Sequence, residues 1–361
     1  MNVLETKKYL QDNKDKNFIV FHDTETTGVK KDDRILQSAH ALYLVEDKEI
    51  VFVDYLEENI LPPVPIGPAS AAVHGIWYPD LENAPTFKDS KTKEFFELFI
   101  ENKVFYCAHN SDFDIGQLEK EGIFYPEDLV IDTLQIAKEF NKNNEAIESN
   151  GLQYLRYFYN FDMEPNFSLF LSDYNIEKLQ PHTALSDIAV LAYYFKELLE
   201  FGAISSLENA VNLSRKPVII DKVSFGNVFE KGTKISEAIV SGYKQYGKNK
   251  KGYDYLNWVI TNMDNLSPDI KISISKYAMD AAISGKIDFT NPAIIPMKYY
   301  AATFLPEYKD FLKSNGFNVE QAKNQTLKKI KNKINEIEEN GQEDEVREYS
   351  SLKKFLKYAR D

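Results

Sequence analysis

Short apolar runs alternate with amphipathic helical segments through the front half of the chain, and this alternation constrains the fold most. The segment NFIVFHDTETTG predicts a strand that ends in polar residues and a glycine turn. The next segment, ILQSAHALYLVEDKEIVFVDYL, predicts a hairpin turning at Glu46, Asp47 and Lys48. Helix and strand signals then alternate, with helices expected at 91–102, 111–121 and 132–140 and strands at 104–108 and 129–131. This order favours an α/β architecture.

The domain organisation follows from breaks in this pattern. Residues 61–85 contain six prolines, so we expect a loop with one short helix near 69–73. Helices at 151–159 and 183–199 close a first domain, expected to span residues 1–205. The run Arg215-Lys216-Pro217 predicts a linker. A small accessory module at 215–270 and a helical region at 271–361 are expected to follow.

The last part of the chain carries two apolar patterns at helical spacing. One precedes Asn340-Gly341 and the other follows it, and their residues are Leu327, Ile330, Ile334 and Ile337, then Val346, Tyr349, Leu352 and Leu356. We therefore expect a two-helix hairpin here. Such a hairpin is a candidate contact for a protein partner, a second molecule or DNA.

The composition excludes several classes of protein. Cys107 is the single cysteine, which excludes disulfide scaffolds and multi-thiolate zinc sites. A metal must therefore be held by oxygen or imidazole ligands. No apolar run has the roughly 18 residues that a membrane span needs, and the N-terminal segment lacks the apolar core of a secretory signal. We expect a cytoplasmic protein without membrane contact.

Charge is distributed unevenly along the chain. The net charge is −13, but residues 214–361 hold 25 basic and 19 acidic side chains, whereas residues 1–213 hold 18 basic and 37 acidic ones. An acidic front half is typical of carboxylates gathered around metal ions, and a basic back half is typical of phosphate binding. Two unrelated solvated surfaces would give the same distribution.

Acidic side chains recur at strand ends and helix starts. Asp23 and Glu25 stand two apart on a strand and so point to the same side, where they repel each other unless a cation lies between them. Mg²⁺ prefers such oxygen ligands. Asp114 is expected in the first turn of a helix capped by Ser111, and Asp132 is interpreted as a helix cap after a strand.

His182 and Asp187 form the last of these groups. Five residues on an α-helix rotate by about 500°, so the two side chains cannot share a helix face. They converge only if His182 lies in the loop before the helix and Asp187 inside it. The preceding Pro181 and the potential cap Thr183 fit that boundary.

The three segments DTETTG, HNSDFD and HTALSD, in this order, resemble the signature motifs of the DEDDh branch of the DEDD 3′→5′ exonuclease superfamily. The resemblance covers roughly residues 17–200. It implies an RNase H-like fold: a five-stranded mixed sheet with three antiparallel strands first and flanking helices. It also implies that Asp23, Glu25, Asp114 and Asp187 bind two Mg²⁺ (or Mn²⁺) ions per site and that His182 is the general base.

The resemblance further indicates how substrate is held. The expected substrate-binding residues of the first domain are Thr24, Thr26, Thr27, His109, Asn110 and Phe113. Trp77 or Phe113 could stack on a base, although core filling explains either ring as well. Two positions depart from the family pattern, since Gln37 replaces a frequent acid and Trp77-Tyr78 replaces a small polar residue.

The accessory module resembles the small C-terminal module of exonuclease X-type enzymes, through Ser224-Phe225-Gly226 and the segment 253–262. Its glycine segment and its lysine loop depart from that pattern. Lysines crowd beside tyrosines here, and the residues are Lys244, Lys248, Lys250 and Lys251 with Tyr243, Tyr246 and Tyr253. We expect Lys248, Lys250 and Lys251 to bind a nucleic-acid strand and Trp258 to anchor the core of the module.

These residues lead to one principal expectation, a metal-dependent 3′→5′ exonuclease that acts on DNA 3′ ends or single strands, in repair or degradation, and releases nucleoside 5′-monophosphates. An exoribonuclease of the same family is the nearest alternative, since the sequence does not identify contacts to the 2′-hydroxyl. A non-catalytic nucleic-acid-binding module and a hydrolase of small nucleotides stay open as well.

Overall fold

The computed structural model describes residues 2–359 except 47–48, 145, 177–178, 181, 224, 246–247, 264–265 and 341–345. The chain divides into two compact units, Met1–Ser214 (unit 1) and Arg215–Asp361 (unit 2). Among the described residues, no helix has both the length and the apolar character needed to cross a membrane.

Unit 1 is built on a five-stranded mixed sheet with the strand order β3-β2-β1-β4-β5. The strands are β1 (Asn17–Thr26), β2 (Ile35–Glu46), β3 (Glu49–Asn59), β4 (Phe105–Ala108) and β5 (Val130–Asp132). β1, β2 and β3 pair antiparallel, whereas β4 runs parallel to β1 and β5 runs parallel to β4. The carboxyl ends of β1, β4 and β5 therefore lie at the same edge of the sheet.

Helices cover both faces of this sheet. They are α1 (Val3–Asp12), α2 (Pro68–His74), α3 (Lys91–Glu101), α4 (Ser111–Lys120), α5 (Thr133–Asn141), α6 (Leu152–Phe158), α7 (Pro165–Ser172), α8 (Ala184–Glu200) and α9 (Leu207–Ser214). Short 3₁₀ turns lie at Tyr78–Leu81, Phe87–Asp89, Glu127–Leu129 and Phe161–Met163. Alternation along β1 places Ile19 and Phe21 in the cluster with α8, and Phe18 and Val20 in the cluster with α3.

The predicted fold class of unit 1 is confirmed. The three antiparallel strands come first and the parallel strands follow, as expected, and the short helix near 69–73 is α2. The turn residues Asp47 and Lys48 lie outside the described residues. The sequence reading missed α1, α7 and α9. Ser111 does not cap α4, because the cap is Asn110 in a left-handed conformation and the Ser111 hydroxyl is buried without a hydrogen-bond partner.

Unit 2 combines a small hairpin with helices. The hairpin strands are β6 (Gly242–Gln245) and β7 (Lys248–Lys251), and the helices are α10 (Ile235–Ala238), α11 (Gly252–Asn262), α12 (Pro268–Ile283), α13 (Ile295–Phe304), α14 (Lys309–Ser314), α15 (Val319–Asn340) and α16 (Val346–Tyr358). Two 3₁₀ turns lie at Pro292–Ile294 and Pro306–Tyr308. One hydrophobic cluster runs from Val223 to Tyr358.

The helical C-terminal region is confirmed, with α15 and α16 at the two predicted apolar patterns; Gly341 between them lies outside the described residues. Residues on both sides of position 270 share the hydrophobic cluster of unit 2, so the division into a 215–270 module and a 271–361 region stays a prediction.

Trp258 does not anchor the core of unit 2, which corrects the expectation from the sequence. Its side chain is 52% exposed. The buried side of α11 consists of Tyr255, Leu256, Val259 and Ile260. At about 100° per residue, Trp258 points roughly 130° away from the centre of that stripe, so the helix turns it toward solvent.

Candidate active site

The carboxyl end of β1 carries the acidic pair. Asp23 and Glu25 are half-buried on one side of the strand, while Thr24 and Thr26 between and after them are buried on the other. One carboxylate oxygen each of Asp23, Glu25 and Asp187 can be chosen so that all three lie within 4.8 Å of one another. Three acidic oxygens at this separation match the ligands of a hard divalent cation.

Asp114 reaches the same edge of the sheet from α4. Its side chain is buried at 3% exposure, and the Thr24 hydroxyl donates a hydrogen bond of 2.8 Å to its Oδ1. This bond ties the first turn of α4 to β1. Burial raises the pKa of Asp23, and the negative charge of the nearby Asp114 adds to that increase.

The start of α8 is held by two side chains from the sheet. Gln37 Oε1 on β2 accepts the backbone N–H of Ala184 at 3.2 Å, and Glu57 Oε1 on β3 accepts that of Leu185 at 3.3 Å. Both satisfy first-turn amides that have no partner within the helix. The position of Asp187 in the first turn is thereby fixed relative to the sheet.

A hydrogen-bond chain from α6 also holds Asp187. Gln153 Nε2 donates to Asp187 Oδ1 at 2.5 Å, and Gln153 Oε1 accepts from Arg156 Nη1 at 3.1 Å. Arg156 is buried and forms a bidentate pair with Asp162 at 2.8 and 2.9 Å. Because each amide and guanidinium group has a fixed partner, the Asp187 carboxylate is held in one orientation.

His182 lies in the loop before α8, as its spacing from Asp187 requires. Its backbone is left-handed, with φ at 65°, and its side chain is exposed. Histidine is one of the few residues other than glycine that are enriched in this region, and such conformations cluster at functional sites. Burial raises the pKa of Asp187, and the nearby His182 offsets part of that increase.

Burial raises the pKa of every carboxyl group in this cluster, and the charges of neighbouring carboxylates add to the increase at Asp23 and Glu25. Burial raises the pKa of Glu25 to about 8, with the charges of Asp187 and Asp114 adding to it. Burial likewise raises the pKa of Asp114 to about 7, and it raises those of Asp23 and Asp187. Without a cation the cluster retains protons near neutral pH, so cation binding must displace them.

A family model described as exonuclease (RNase_T) matches residues 20–195, the stretch that contains all of these carboxylates. Residues 20–195 therefore have the sequence pattern of an exonuclease domain. The match supports the DEDDh superfamily assignment that the sequence motifs predicted. The exonuclease domain and its acidic cluster support a metal-dependent nuclease. No curated protein matches the sequence.

Several solved structures resemble part of the chain. Exonuclease X in complex with 5′ overhanging duplex DNA is 20% identical, with 54% of this chain and 99% of that chain covered and a TM-score of 0.40. A 3′-exonuclease with histone mRNA stem-loop is 14% identical, with 65% and 70% covered and a TM-score of 0.40. E. coli Exonuclease I with a dT13 oligonucleotide is 16% identical, with 50% and 41% covered and a TM-score of 0.38.

The threonines of the exonuclease domain that were expected to bind substrate already donate hydrogen bonds within the protein. Thr24 donates to Asp114, Thr26 donates to the Gly28 carbonyl at 2.6 Å, and Thr27 donates to Asp33 at 2.8 Å. They shape the turn after β1. Direct contact of these hydroxyls with a nucleotide stays a prediction.

The segment after β4 is tied to β5 and α5. His109 hydrogen-bonds Thr133 Oγ1 at 2.9 Å and the Asn150 carbonyl at 2.8 Å, so both ring nitrogens have protein partners. The exposed Asn110 donates its backbone N–H to Asp132 Oδ1 at 3.0 Å. Asp132 caps α5, which confirms its structural interpretation. Substrate contact by His109 or Asn110 stays a prediction.

The two aromatic candidates differ in exposure. Trp77 is 41% exposed and packs edge-on against Tyr78, so core filling is the wrong explanation for it. Phe113 is half-buried in the first turn of α4. The lysines 248, 250 and 251 are exposed on β7 in unit 2.

The sequence reading missed the residues that orient Asp187. Gln153 and Arg156 belong to a helix that the spacing predicts, but nothing in their spacing indicates a contact with α8. From the sequence, Gln37 was identified only as a departure from the family pattern. In the structure its side chain accepts the backbone N–H of Ala184 at the start of α8. A polar residue on a buried strand is the one signal that could have indicated such a contact.

Proposed function

We propose that the chain is a metal-dependent 3′→5′ exonuclease that removes nucleoside 5′-monophosphates from DNA 3′ ends. The observation that carries the proposal is the group of Asp23, Glu25 and Asp187 oxygens, which lie within 4.8 Å of one another inside an exonuclease domain. An exposed histidine beside Asp187 completes a set suited to hydrolysis of a phosphodiester.

The residues present fit a magnesium or manganese site. Asp23, Glu25 and Asp187 supply carboxylate oxygens, and Asp114 adds a fourth acid on the neighbouring helix. Two ions in such a site would stabilise charge on the entering and leaving oxygens of the phosphodiester. Four carboxylates balance the charge of two divalent ions, and a bound cation would offset the burial that raises their pKa values.

His182 is proposed as the general base. An imidazole has an ordinary pKa near 6.5, so its neutral form can accept a proton from water at neutral pH. The exposed position before α8 leaves its ring accessible to solvent. Asp187 stands five residues later, in the first turn of α8.

The assignment of DNA as substrate rests on the exonuclease X-like motifs and on the basic surface of unit 2. The same chemistry hydrolyses RNA, since the carboxylates act on the phosphodiester and not on the sugar. An exoribonuclease is therefore the second candidate. Contacts of Thr24, Thr26, Thr27, His109, Asn110 and Phe113 with the terminal nucleotides, and a cytoplasmic location, belong to the same proposal.

The decisive experiment is a cleavage time course on matched DNA and RNA single strands, each labelled at the 5′ end. With Mg²⁺ we expect a ladder that shortens from the 3′ end, and EDTA should abolish it. Asp114→Asn should lower the rate by a factor on the order of a thousand or more, because the variant loses a carboxylate where charge develops. The faster substrate identifies the sugar.

Asp112→Asn is the matched control. Asp112 stands two residues earlier on α4, and two residues rotate a helix by about 200°, so its carboxylate points elsewhere. The control should cleave at close to the unmodified rate. Retained strand binding without cleavage in any divalent cation would reject the enzyme and favour a nucleic-acid-binding module; shortening from the 5′ end would reject the direction.

A further inference from the structure

We propose that unit 2 carries its own contact site for single-stranded nucleic acid, in which Trp258 stacks on a base and the lysines of the β6–β7 hairpin bind the flanking phosphates. This Trp258 surface comprises Trp258, Tyr243, Lys244, Lys248, Lys250 and Lys251. The proposal rests on the proposed function in one respect, that a nucleic-acid strand is the substrate.

The exposure of Trp258 is the first observation. Its indole is 52% exposed, on a helix whose buried side consists of Tyr255, Leu256, Val259 and Ile260. Leaving a large aromatic ring in water forgoes the free energy gained by burying it. An aromatic ring next to cationic groups is the arrangement by which proteins bind unpaired bases.

One face of the indole packs against another aromatic ring. Its ring stacks on Tyr255 with centroids 6.2 Å apart and an interplanar angle of 16°. The Tyr255 ring also contacts Phe229 at 5.8 Å and Tyr243 at 6.1 Å, so it is held on several sides. Trp258 therefore has one face fixed against a buried ring, and it loses little freedom when a base stacks on it.

Two glycines make this support possible. Gly226 has φ at 69°, and a Cβ there would lie 1.8 Å from the Tyr255 hydroxyl. A Cβ on Gly252, the first residue of α11, would lie 1.7 Å from the Ala238 carbonyl oxygen. Both positions therefore require glycine for the backbone to approach this closely. The close approach sets the position of Tyr255, and through it that of Trp258.

The segment that precedes and includes Trp258 is basic. The segment from Gly242 to Asn262 contains four lysines and a single acid, Asp254. All four lysines are exposed. Lys250 pairs across the hairpin with Tyr243, and Lys248 stands two residues away on the same face, while Lys244 and Lys251 point to the opposite face.

Lys251 ends β7 and directly precedes the helix that carries the indole. Trp258 follows seven residues later on α11, so the two lie on nearly the same side of the helix about 10 Å apart along its axis. A phosphate at the lysine and a base on the indole can thus belong to one strand. A single strand fits better than a duplex, because its bases present their faces for stacking.

The test uses the full chain with Trp77→Phe and Asp114→Asn, in EDTA. Trp258 is then the single tryptophan, since the sequence contains two. Titration with oligo(dT) should quench the indole fluorescence in step with the increase in fluorescence anisotropy of a dye-labelled strand. Trp258→Ala should weaken binding by about fivefold to a hundredfold, the range for loss of one stacked base. Trp258→Phe should restore part of that loss, since a smaller ring still stacks.

The lysines are tested by salt dependence. Replacing Lys248, Lys250 and Lys251 by alanine should reduce the slope of log affinity against log salt by roughly 2, since each phosphate contact on a single strand contributes about 0.7. The matched control removes three exposed lysines of α15, and its residues are Lys328, Lys329 and Lys331. It should leave the slope nearly unchanged.

Three results would overturn the inference. They are oligo(dT) binding without quenching, equal binding of an abasic oligomer, and equal binding of polyglutamate, which would favour an acidic protein partner. Cleavage by the chain with an intact Asp114 is measured separately. Failure of quenching with cleavage present rejects this inference alone, whereas quenching without any cleavage rejects the proposed function alone.

Discussion

The two units present functional side chains in opposite ways. In unit 1 the charged groups are acidic, largely buried, and gathered from β1, α4 and α8. In unit 2 the charged groups of the Trp258 surface are basic and exposed, and they come from one hairpin and the helix after it. Buried like charges raise the free energy of the fold unless a cation joins them, whereas exposed charges are solvated by water. The carboxylate cluster of unit 1 is therefore suited to a divalent cation.

This difference extends to the way each region is held in place. The unit 1 cluster joins residues 164 positions apart, Asp23 and Asp187. Hydrogen bonds that Gln37 and Glu57 accept and one that Gln153 donates hold its geometry. The Trp258 surface is local in sequence, and close backbone packing supports it. A change in one supporting residue should therefore matter more in unit 1.

The largest expected effect is on the proposed base. His182→Ala should lower the rate of cleavage by a factor of about a hundred to ten thousand, the usual contribution of a general base. The residual rate should increase with pH, because hydroxide replaces the missing base. Single-turnover rates across a pH series measure this. Thr183→Ala, at the next position, controls for disruption of the loop; an unchanged rate in His182→Ala would remove the histidine from the mechanism.

The second effect is on stability as a function of pH. Glu25 and Asp114 have folded pKa values of about 8 and about 7, above those of the unfolded chain. Between about pH 5 and pH 8 the folded state thus binds more protons than the unfolded state, so the free energy of unfolding in EDTA falls as pH increases. Tm should fall across this window.

Mn²⁺ should oppose the fall of Tm with increasing pH. Since the ion displaces protons, the increase in Tm on adding Mn²⁺ should grow with pH and reach roughly 5–10 °C when the ion is at about a hundred times its Kd. Thermal melts of the protein and of Glu25→Gln provide the check, and the variant should show a flatter pH dependence in EDTA. A Tm in EDTA that increases from pH 5 to 8 would contradict the electrostatic account of the cluster.

A smaller effect is expected from the support of Asp187. Gln153→Leu removes the amide that orients this carboxylate, so Mn²⁺ affinity should fall by about tenfold, at the lower end of the range for such supporting residues. Calorimetric titration of Mn²⁺ measures this without reference to activity. Gln321→Leu, at an exposed glutamine of α15, is the matched control and should bind Mn²⁺ normally. Equal affinity in both variants would mean that the hydrogen bond does not orient the ligand.

The smallest effect is expected in unit 2. Lys248→Ala should change the free energy of unfolding by no more than about 0.5 kcal/mol, because an exposed lysine is solvated in both states. Urea unfolding followed by circular dichroism measures it. A much larger loss of unfolding free energy would show that Lys248 stabilises the folded state. The charged groups of unit 2 would then not differ from those of unit 1 in this respect.

The sequence was sufficient for much of unit 1 because its patterns are local. Periodicity located β1–β5 and most helices, and the two-residue spacing of Asp23 and Glu25 already placed both acids on one side of a strand. The five-residue separation of His182 and Asp187 was enough to require a helix start between them. Helix α1 was missed because its polar sequence buries only Thr6 and Leu10.

Tertiary structure alone decided which side chains support the site and which face solvent. No pattern in the sequence connects Gln153 to Asp187 or Gln37 to α8, since such hydrogen bonds depend on how separate elements pack. Trp258 was misassigned for a related reason. Its size favours burial, but the axis and rotation of α11 against Tyr255 and Gly226 decide its direction. The spacing of apolar residues predicts which side of a single helix or strand is buried. The direction of an individual side chain depends on how that element packs against others.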